Sequence, residues 1–226
     1  MDKMILYEDN VLLIIHKPAG IATQTSRVGQ ADMVSELKNY RKRKGEDTYI
    51  GVVHRLDQPV EGLLVFAKNQ SMAEILSRQI QDNTLKKSYL ALIQGELEEN
   101  AGGKLTDFLQ KDNRTNRSSV VKEGTNGAKK AVLGWNCVKT YQGKGCSVVE
   151  VELFTGRHHQ IRVQFANAGM PLLGDMKYGT EASKALSKQL GITNTALLAH
   201  KLALLHPKTG KYLEYKIDWQ ILPIQQ

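Results

Sequence analysis

The chain is poor in cysteine, in acidic residues, in aromatic rings and in long apolar runs, and each shortage removes a class of function. Its two cysteines, Cys137 and Cys146, stand outside any Cys-x-x-Cys pattern. Neither a disulfide-rich secreted scaffold nor a thiolate zinc site is in prospect, and a reducing, cytoplasmic setting is the simpler expectation. No apolar stretch approaches the ~20 residues that cross a bilayer as a helix, and the start, MDKMILYEDN, has acidic residues where a secretion signal has an apolar core. No membrane role is expected. GxxxxGK[ST] and GxGxxG are both missing, and the glycines of GTNGAKK lack the flanking strand and helix of a phosphate loop. No nucleotide cofactor is implied. The histidines, His16, His54, His158, His159, His200 and His206, offer no HExxH spacing, so no metal site is expected either.

What the chain has in excess is positive charge: 31 lysines and arginines against 23 acidic residues give a formal +8 over 226 residues. Such a surface attracts a polyanion, with nucleic acid the first candidate and plain solubility the alternative. The length suits one compact core, and a single catalytic domain over 1–226 is the expectation.

Along the chain, ILY and VLLIIH flank Glu8-Asp9-Asn10 as the arms of a hairpin that leads to Lys17-Pro18-Ala19-Gly20. Residues 31–44 follow a helical period, with Met33, Leu37 and Tyr40 on one stripe, and end in Arg41-Lys42-Arg43-Lys44. That cationic tail is either a helix cap or, with Lys38, a contact for phosphates. Strands are predicted at 50–53 and 62–67, which puts His54-Arg55-Leu56-Asp57 in the loop between them. Residues 71–81 read as an amphipathic helix with Met72, Ile75, Leu76 and Ile80 inward, and 88–94 as a strand carrying Tyr89. Residues 111–130 hold six basic residues, Arg114 and Arg117 among them, against Asp112 and Glu123 and read as a basic loop or hairpin. Alternation predicts antiparallel strands at 129–141 and 146–154, a helical stripe at Ile161, Phe165 and Ala168, and strands at 197–205 and 211–217. This succession argues for an α+β domain on a mixed, mainly antiparallel sheet flanked by helices.

Four polar clusters remain to carry chemistry: KPAG at 17–20, HRLDQPVEG at 54–62, KKSY at 86–89 and TGRHHQIR at 155–162. Singly each has a plain explanation. Asp57 suits a turn before Pro59, Arg55 a surface ion pair, Tyr89 a packed strand ring and Arg162 an exposed helix position. In order, they resemble the RluA-type RNA pseudouridine synthases over residues 11–207. GVVHRLDQPVEGLLVFAK at 51–68 is similar to the family's active-site segment, which makes Asp57 its catalytic aspartate. TGRHHQIRVQFANAGMPLLGDMKYG at 155–179 is similar to its late segment, which implies that Arg162 pairs with that aspartate. Lys87-Ser88-Tyr89 matches the segment whose tyrosine packs on the target base, and HKPAG and LAHKLALLHP resemble two further landmarks. Two positions depart from the pattern: Val60-Glu61 replaces a Thr-Ser pair, and His158 replaces a small hydroxyl residue.

The resemblance implies isomerisation of uridine to pseudouridine in structured RNA, ribosomal or transfer, without a cofactor. It also implies that Arg55 fills the space left by a flipped base, and that Lys17, His54, Arg157, His159, Gln160 and Leu202 lie on the substrate side. The similarity begins close to Met1, so the expectation is a monomeric catalytic domain without the upstream RNA-binding domain of many members. Backbone affinity would then come from Lys38, Arg41, Lys42, Arg43, Lys44, Arg114 and Arg117. Two competitors stand beside this reading. One is a non-catalytic RNA-binding or ribosome-assembly protein on the same scaffold. The other is a glycoside or nucleoside hydrolase, which needs a second carboxylate, for which Glu61 is the neighbour in sequence, and would release free base.

A cofactor-free isomerase makes a direct prediction. Turnover of an RNA folded in monovalent salt should be the same with and without excess EDTA, whereas a loss that zinc alone restores would revive a metal mechanism.

Overall fold

The computed structural model describes residues 1–25 and 29–218. In chain order the elements are β1 (Ile5–Glu8), β2 (Leu12–Lys17), α1 (Met33–Arg43), β3 (Gly51–Val52), β4 (Glu61–Ala67), α2 (Gln70–Gln81), β5 (Lys86–Gln94), β6 (Gly102–Asp112), β7 (Arg117–Val121), β8 (Lys129–Tyr141), β9 (Cys146–Leu153), α3 (Gln160–Asn167), α4 (Glu181–Gln189), β10 (Leu197–Leu205) and β11 (Tyr212–Lys216). The architecture is strands with flanking helices, as expected of an α+β fold. The chain forms two compact units, Met1–Lys87 with Ala199–Asp218, and Ser88–Leu198.

The first unit is built around two continuous apolar runs. β2 and β4 pair antiparallel from Leu12↔Ala67 to Lys17↔Gly62, and Leu12 to Ile15 and Leu63 to Ala67 are almost wholly buried. Strands covered on both faces have no polar alternation, and these two show none. β1 joins β2 through a turn whose Asp9 carboxylate accepts the N–H groups of Val11 and Leu12 at 2.8 and 2.9 Å. β3 adds to β4, and β11 pairs with β10. Helix α1 starts on an Asp32 cap, whose Oδ1 accepts the Ser35 N–H at 2.7 Å, and α2 starts on an Asn69 cap. Leu76, with Met72 and Ile80 beside it, packs α2 onto Leu12, Ile14, Leu63, Val65, Leu202 and Leu204.

In the second unit the strand order is β5-β9-β8-β6-β7, with antiparallel ladders throughout. On β8 alternate side chains Ala131, Leu133 and Cys137 turn inward and are buried. Helix α3 covers Ala131 and Leu109 through Val163, and α4 presents Leu186 to Leu92, Cys146, Val148 and Leu173. The basic stretch at 111–130 is a hairpin in its first half. β6 and β7 pair from Phe108↔Val121 to Asp112↔Arg117, and the Asp112 carboxylate accepts the Arg114 N–H and the Thr115 hydroxyl at its tip.

Two expectations need correction. Helix α3 is not one-sided: every residue from Gln160 to Phe165 is buried, while Ala168, expected on the inner stripe, caps the helix and is exposed. The reason is that polar Gln160, Arg162 and Gln164 all find partners inside, so polarity no longer marks the outer face. Helix α4 and the strand β6 carried no signal that the periodicity separated from loop.

Gly62 is the second residue of β4, just after the Asp57 loop, and its φ of +134° belongs to a region that favours glycine. A Cβ there would meet the backbone N and O of Ala199 at 2.5 Å. Gly62→Ala should lower stability by roughly 2 kcal/mol or more, read as a drop in urea midpoint at constant slope.

Candidate active site

Residues 53–60 run between β3 and β4 without regular pairing, so their backbone polar groups need partners elsewhere. The turn after β2 supplies them. Thr23 Oγ1 donates to the Leu56 carbonyl at 3.0 Å and accepts the Leu56 N–H at 3.1 Å. The Gly20 N–H donates to the Gln58 carbonyl at 2.9 Å, and the Gln58 amide donates back to Gly20 O at 3.0 Å. Asp57 lies between these two clamped residues, half-buried, its own carbonyl accepting the Val60 N–H.

Lys17, expected at the substrate, lies within the protein with no exposure. Its Nζ donates to the carbonyls of Pro18, Ile21 and Gln58 at 2.9, 2.7 and 3.3 Å, which uses its three N–H donors. Burial pulls this ammonium down to about 8, with the negative charges of Asp57 and Glu61 pulling the other way. His54 is buried too. Its Nε2 accepts the Val65 N–H at 3.2 Å, which fixes the proton on Nδ1, and burial, with Lys87 nearby, holds the ring neutral. Arg55 is exposed and Glu61 is engaged with His16 Nε2 at 2.7 Å.

In the second unit Arg162 is buried on α3, and its Nε and one Nη donate to the two carboxylate oxygens of Asp175 at 2.6 and 2.8 Å. This two-pronged geometry is what a guanidinium offers and an ammonium does not. Burial raises the Asp175 carboxyl, but Arg162 and the N–H groups of Lys177 and Tyr178 outweigh it and hold the group below its ordinary range. Tyr178 continues the arrangement. Its ring lies 5.1 Å from the Arg162 guanidinium and 5.4 Å from that of Arg117, and its hydroxyl accepts the Ser118 N–H and meets His159 Nδ1 at 2.6 Å. His159 itself takes the left-handed conformation, φ 55°, at the head of α3, stacked on His158 at 3.6 Å.

Gln160, also expected at the substrate, ties this turn down. Its Oε1 accepts from the Arg157 N–H and the Thr155 hydroxyl, and its Nε2 donates to Val132 O. Arg157 is exposed, with Nε on the Lys130 carbonyl. Tyr89 is buried on β5, opposite Val151. Leu202 is fully buried in the apolar cluster of the first unit with Leu12 and Leu63, where it packs the sheet.

The basic run at the end of α1 divides. Arg41 turns inward, 5% exposed, and donates to Glu46, Tyr49 O and Lys68 O, because the last turn of α1 is tied to the following loop and to the end of β4 through it. That removes it from the candidates for phosphate contact. Lys44 pairs with Glu8 and Glu46, whereas Lys38, Lys42 and Arg43 are exposed, as are Arg114 and Arg117. Thr23, Asp175 and Tyr178 are positions that the residue patterns did not single out, although Asp175 and Tyr178 fall inside the 155–179 segment. Among the described residues no three His, Cys, Asp or Glu side chains stand together as metal ligands would. Nor is any described helix long and apolar enough to cross a membrane.

A family model described as RNA pseudouridylate synthase matches residues 11–167, a span that holds Asp57, Tyr89 and Arg162. The chain belongs to that family. An uncharacterized RNA pseudouridine synthase of Bacillus subtilis (strain 168), YhcT, is 38% identical over 210 residues, 92% of this chain and 66% of its own. A ribosomal large subunit pseudouridine synthase C of Pasteurella multocida (strain Pm70) is 32% identical over 94% of this chain and 63% of its own. A tRNA pseudouridine synthase C of the same strain is 30% identical over 92% of this chain and 88% of its own. The chain thus spans a little under two thirds of the length of the first two. A solved human structure, RNA pseudouridylate synthase domain containing 1, superposes with a TM-score of 0.76 at 22% identity, covering 97% of this chain and 84% of that one, which establishes the shared fold.

Asp175→Asn removes the carboxylate charge from a buried pair and should cost about 3–5 kcal/mol at neutral pH. Because the Asp175 carboxyl is held below 3.8 in the folded state, its contribution is fully present above that value and is lost as pH falls through the lower one. The gap in urea midpoint between wild type and Asp175→Asn should therefore narrow at about pH 3. An equal gap at both pH values would show that ionisation of Asp175 is not what stabilises the fold.

Proposed function

We propose that this chain is an RNA pseudouridine synthase that isomerises particular uridines of ribosomal or transfer RNA to pseudouridine, with Asp57 as the essential catalytic residue. The observation that carries the proposal is the presentation of Asp57. A half-buried carboxylate stands between two residues whose backbone groups are bonded to a second turn, within the span that the family model matches. Names of relatives that act on ribosomal and on transfer RNA support both substrate classes. The family match, residues 11–167, runs from the first compact unit into the second, which supports reading them together as one catalytic domain. Both thiols are free and buried, in keeping with work in the cytoplasm.

The reaction requires a stacked base to leave its helix, at a cost of a few kcal/mol. Exposed Arg55, two residues before Asp57, is suited to fill the vacated space, and the Tyr89 ring to stack on the extruded uracil, a contact worth roughly 1–3 kcal/mol. Asp57 acts ionised on the sugar or the base, and the isomerisation needs no group donor. Arg162 joins Asp57 and Tyr89 as the third catalytic residue. Lys17 and His54 act from beneath, as positioning residues: the ammonium holds the 17–23 turn to the loop at Gln58, and the neutral imidazole holds β4 at Val65. Phosphate contacts from Lys38, Lys42, Arg43, Arg114 and Arg117 supply affinity that is largely blind to sequence.

Asp57→Asn should abolish pseudouridine formation while RNA affinity stays nearly unchanged, since most binding free energy comes from phosphates away from the carboxylate. The check is product analysis of ribosomal and transfer RNA beside a binding titration of the same protein. Turnover near wild type in the Asn variant would remove Asp57 from the mechanism.

A further inference from the structure

In the sheet of the second unit α3 covers Leu109 and Ala131 on one face and α4 covers Leu92, Cys146 and Val148 on the other, while the part of that second face formed by β8 and β6 serves none of these roles. On β8, Lys130, Val132 and Gly134 alternate with the buried residues and so share the outer face, opposite Phe108, Thr106 and Lys104 of β6. Phe154, one residue past β9, has its N–H on Val132 O at 3.1 Å and lies on that face with half its surface exposed. A Cβ at position 134 would approach the Phe154 ring to 3.3 Å, so glycine there leaves room for the ring beside the strand. Lys104 Nζ stands 5.5 Å from the ring centroid. Lys104, Lys130 and Arg157 are all exposed, and Arg157 is anchored beside Lys130 by its Nε bond to that residue's carbonyl. They outnumber Glu152, which sits opposite Gly134.

A half-exposed aromatic ring among cations matches an unpaired nucleotide: a base that displaces the Lys104 ammonium from over the ring stacks there, and the neighbouring phosphates meet the ammonium and guanidinium groups. We propose that Phe154 is a stacking platform for an unpaired nucleotide of the RNA substrate, with Lys104, Lys130 and Arg157 receiving the phosphates beside it. The platform is joined to the head of α3. The Val132 N–H donates to Thr155 Oγ1, Thr155 donates to Gln160 Oε1, and Gln160 Nε2 donates to Val132 O, so the strand, Phe154 and the start of the helix that carries Arg162 are held as one body. A strand seated on Phe154 is thereby placed relative to that helix. The proposal rests on the reading of the chain as an RNA-modifying enzyme, and its test separates the two.

The experiment titrates the full chain with a fluorescent oligouridylate of about 12 nucleotides, a length within the usual site size for single strands, and with a duplex RNA of equal length. Phe154→Leu should weaken oligouridylate binding about tenfold and leave duplex binding within about twofold, as expected for one lost stacking contact. Phe154→Tyr, which keeps the ring, should bind as wild type. Lys104→Gln should weaken binding a few-fold and reduce the slope of log K against log salt by about 0.7. Unchanged binding in Phe154→Leu, equal losses in the Leu and Tyr variants, or equal losses on the duplex would each overturn the platform. Pseudouridine formation in ribosomal and transfer RNA is measured in parallel. A wild type that forms product while Phe154→Leu binds and turns over like it rejects the platform and leaves the enzyme standing. A wild type that forms no product, yet loses oligouridylate binding in Phe154→Leu, rejects the enzymatic reading and leaves the platform standing.

Discussion

Three backbone carbonyls, of Pro18, Ile21 and Gln58, converge on the Lys17 ammonium, and the shape of the Asp57 loop depends on that convergence. A loop without ladder partners is held only if its own polar groups are met, and an ammonium with three donors meets three acceptors at one point. The desolvation of a buried charge opposes this arrangement, and it is the reason the group is pulled down to about 8. The hydrogen bonds offset that cost locally, and Thr23 and Gly20 add four more ties to Leu56 and Gln58. The consequence is a carboxylate whose backbone has little freedom to shift, which is what the catalytic role proposed for Asp57 requires.

A second buried cation organises the other unit in a different way. Arg162 is matched by Asp175, whose remaining capacity is taken by the N–H groups of Lys177 and Tyr178, so the pair is met on every side that the turn supplies. Tyr178 carries the arrangement outward to Ser118, on the strand beside the basic hairpin tip, and to the strained His159. Such a fully engaged network rigidifies, whereas a half-satisfied one would be a liability in a low-dielectric interior.

The two cations also qualify what a net charge of +8 means. Lys17, Arg41, Lys68 and Arg162 are buried, and their positive charges are matched inside by carbonyls or carboxylates. The positive field at the surface comes from the exposed remainder, from Lys38, Lys42 and Arg43 in one unit and from Arg114, Arg117, Lys104, Lys130 and Arg157 in the other. A count of basic residues therefore gives the sign of the surface but not where on it the charge stands.

The hairpin of β1 and β2, both long amphipathic helices and the strands β4, β5, β8 and β9 were legible in the residues, because apolar periodicity reports directly on which side chains must leave water. The ordered clusters around Asp57, Tyr89 and Arg162 were legible too, as a family resemblance. Helix α3 was misread in part, since buried Gln160, Arg162 and Gln164 look in sequence like a solvated face. Lys17, Gln160 and Arg41 likewise read as groups for a substrate or phosphate and turned out to hold backbone. A polar side chain has the same identity whether it faces water, a ligand or a carbonyl, and nothing local to it says which. The sequence by itself thus determined the family, the apolar framework and the sign of the surface, all of which follow from composition and order along the chain. Only the tertiary structure decided which charges are internal, that Asp175 faces Arg162, and that Phe154 stays half-exposed among cations, because those depend on partners remote in sequence that chain folding alone brings near.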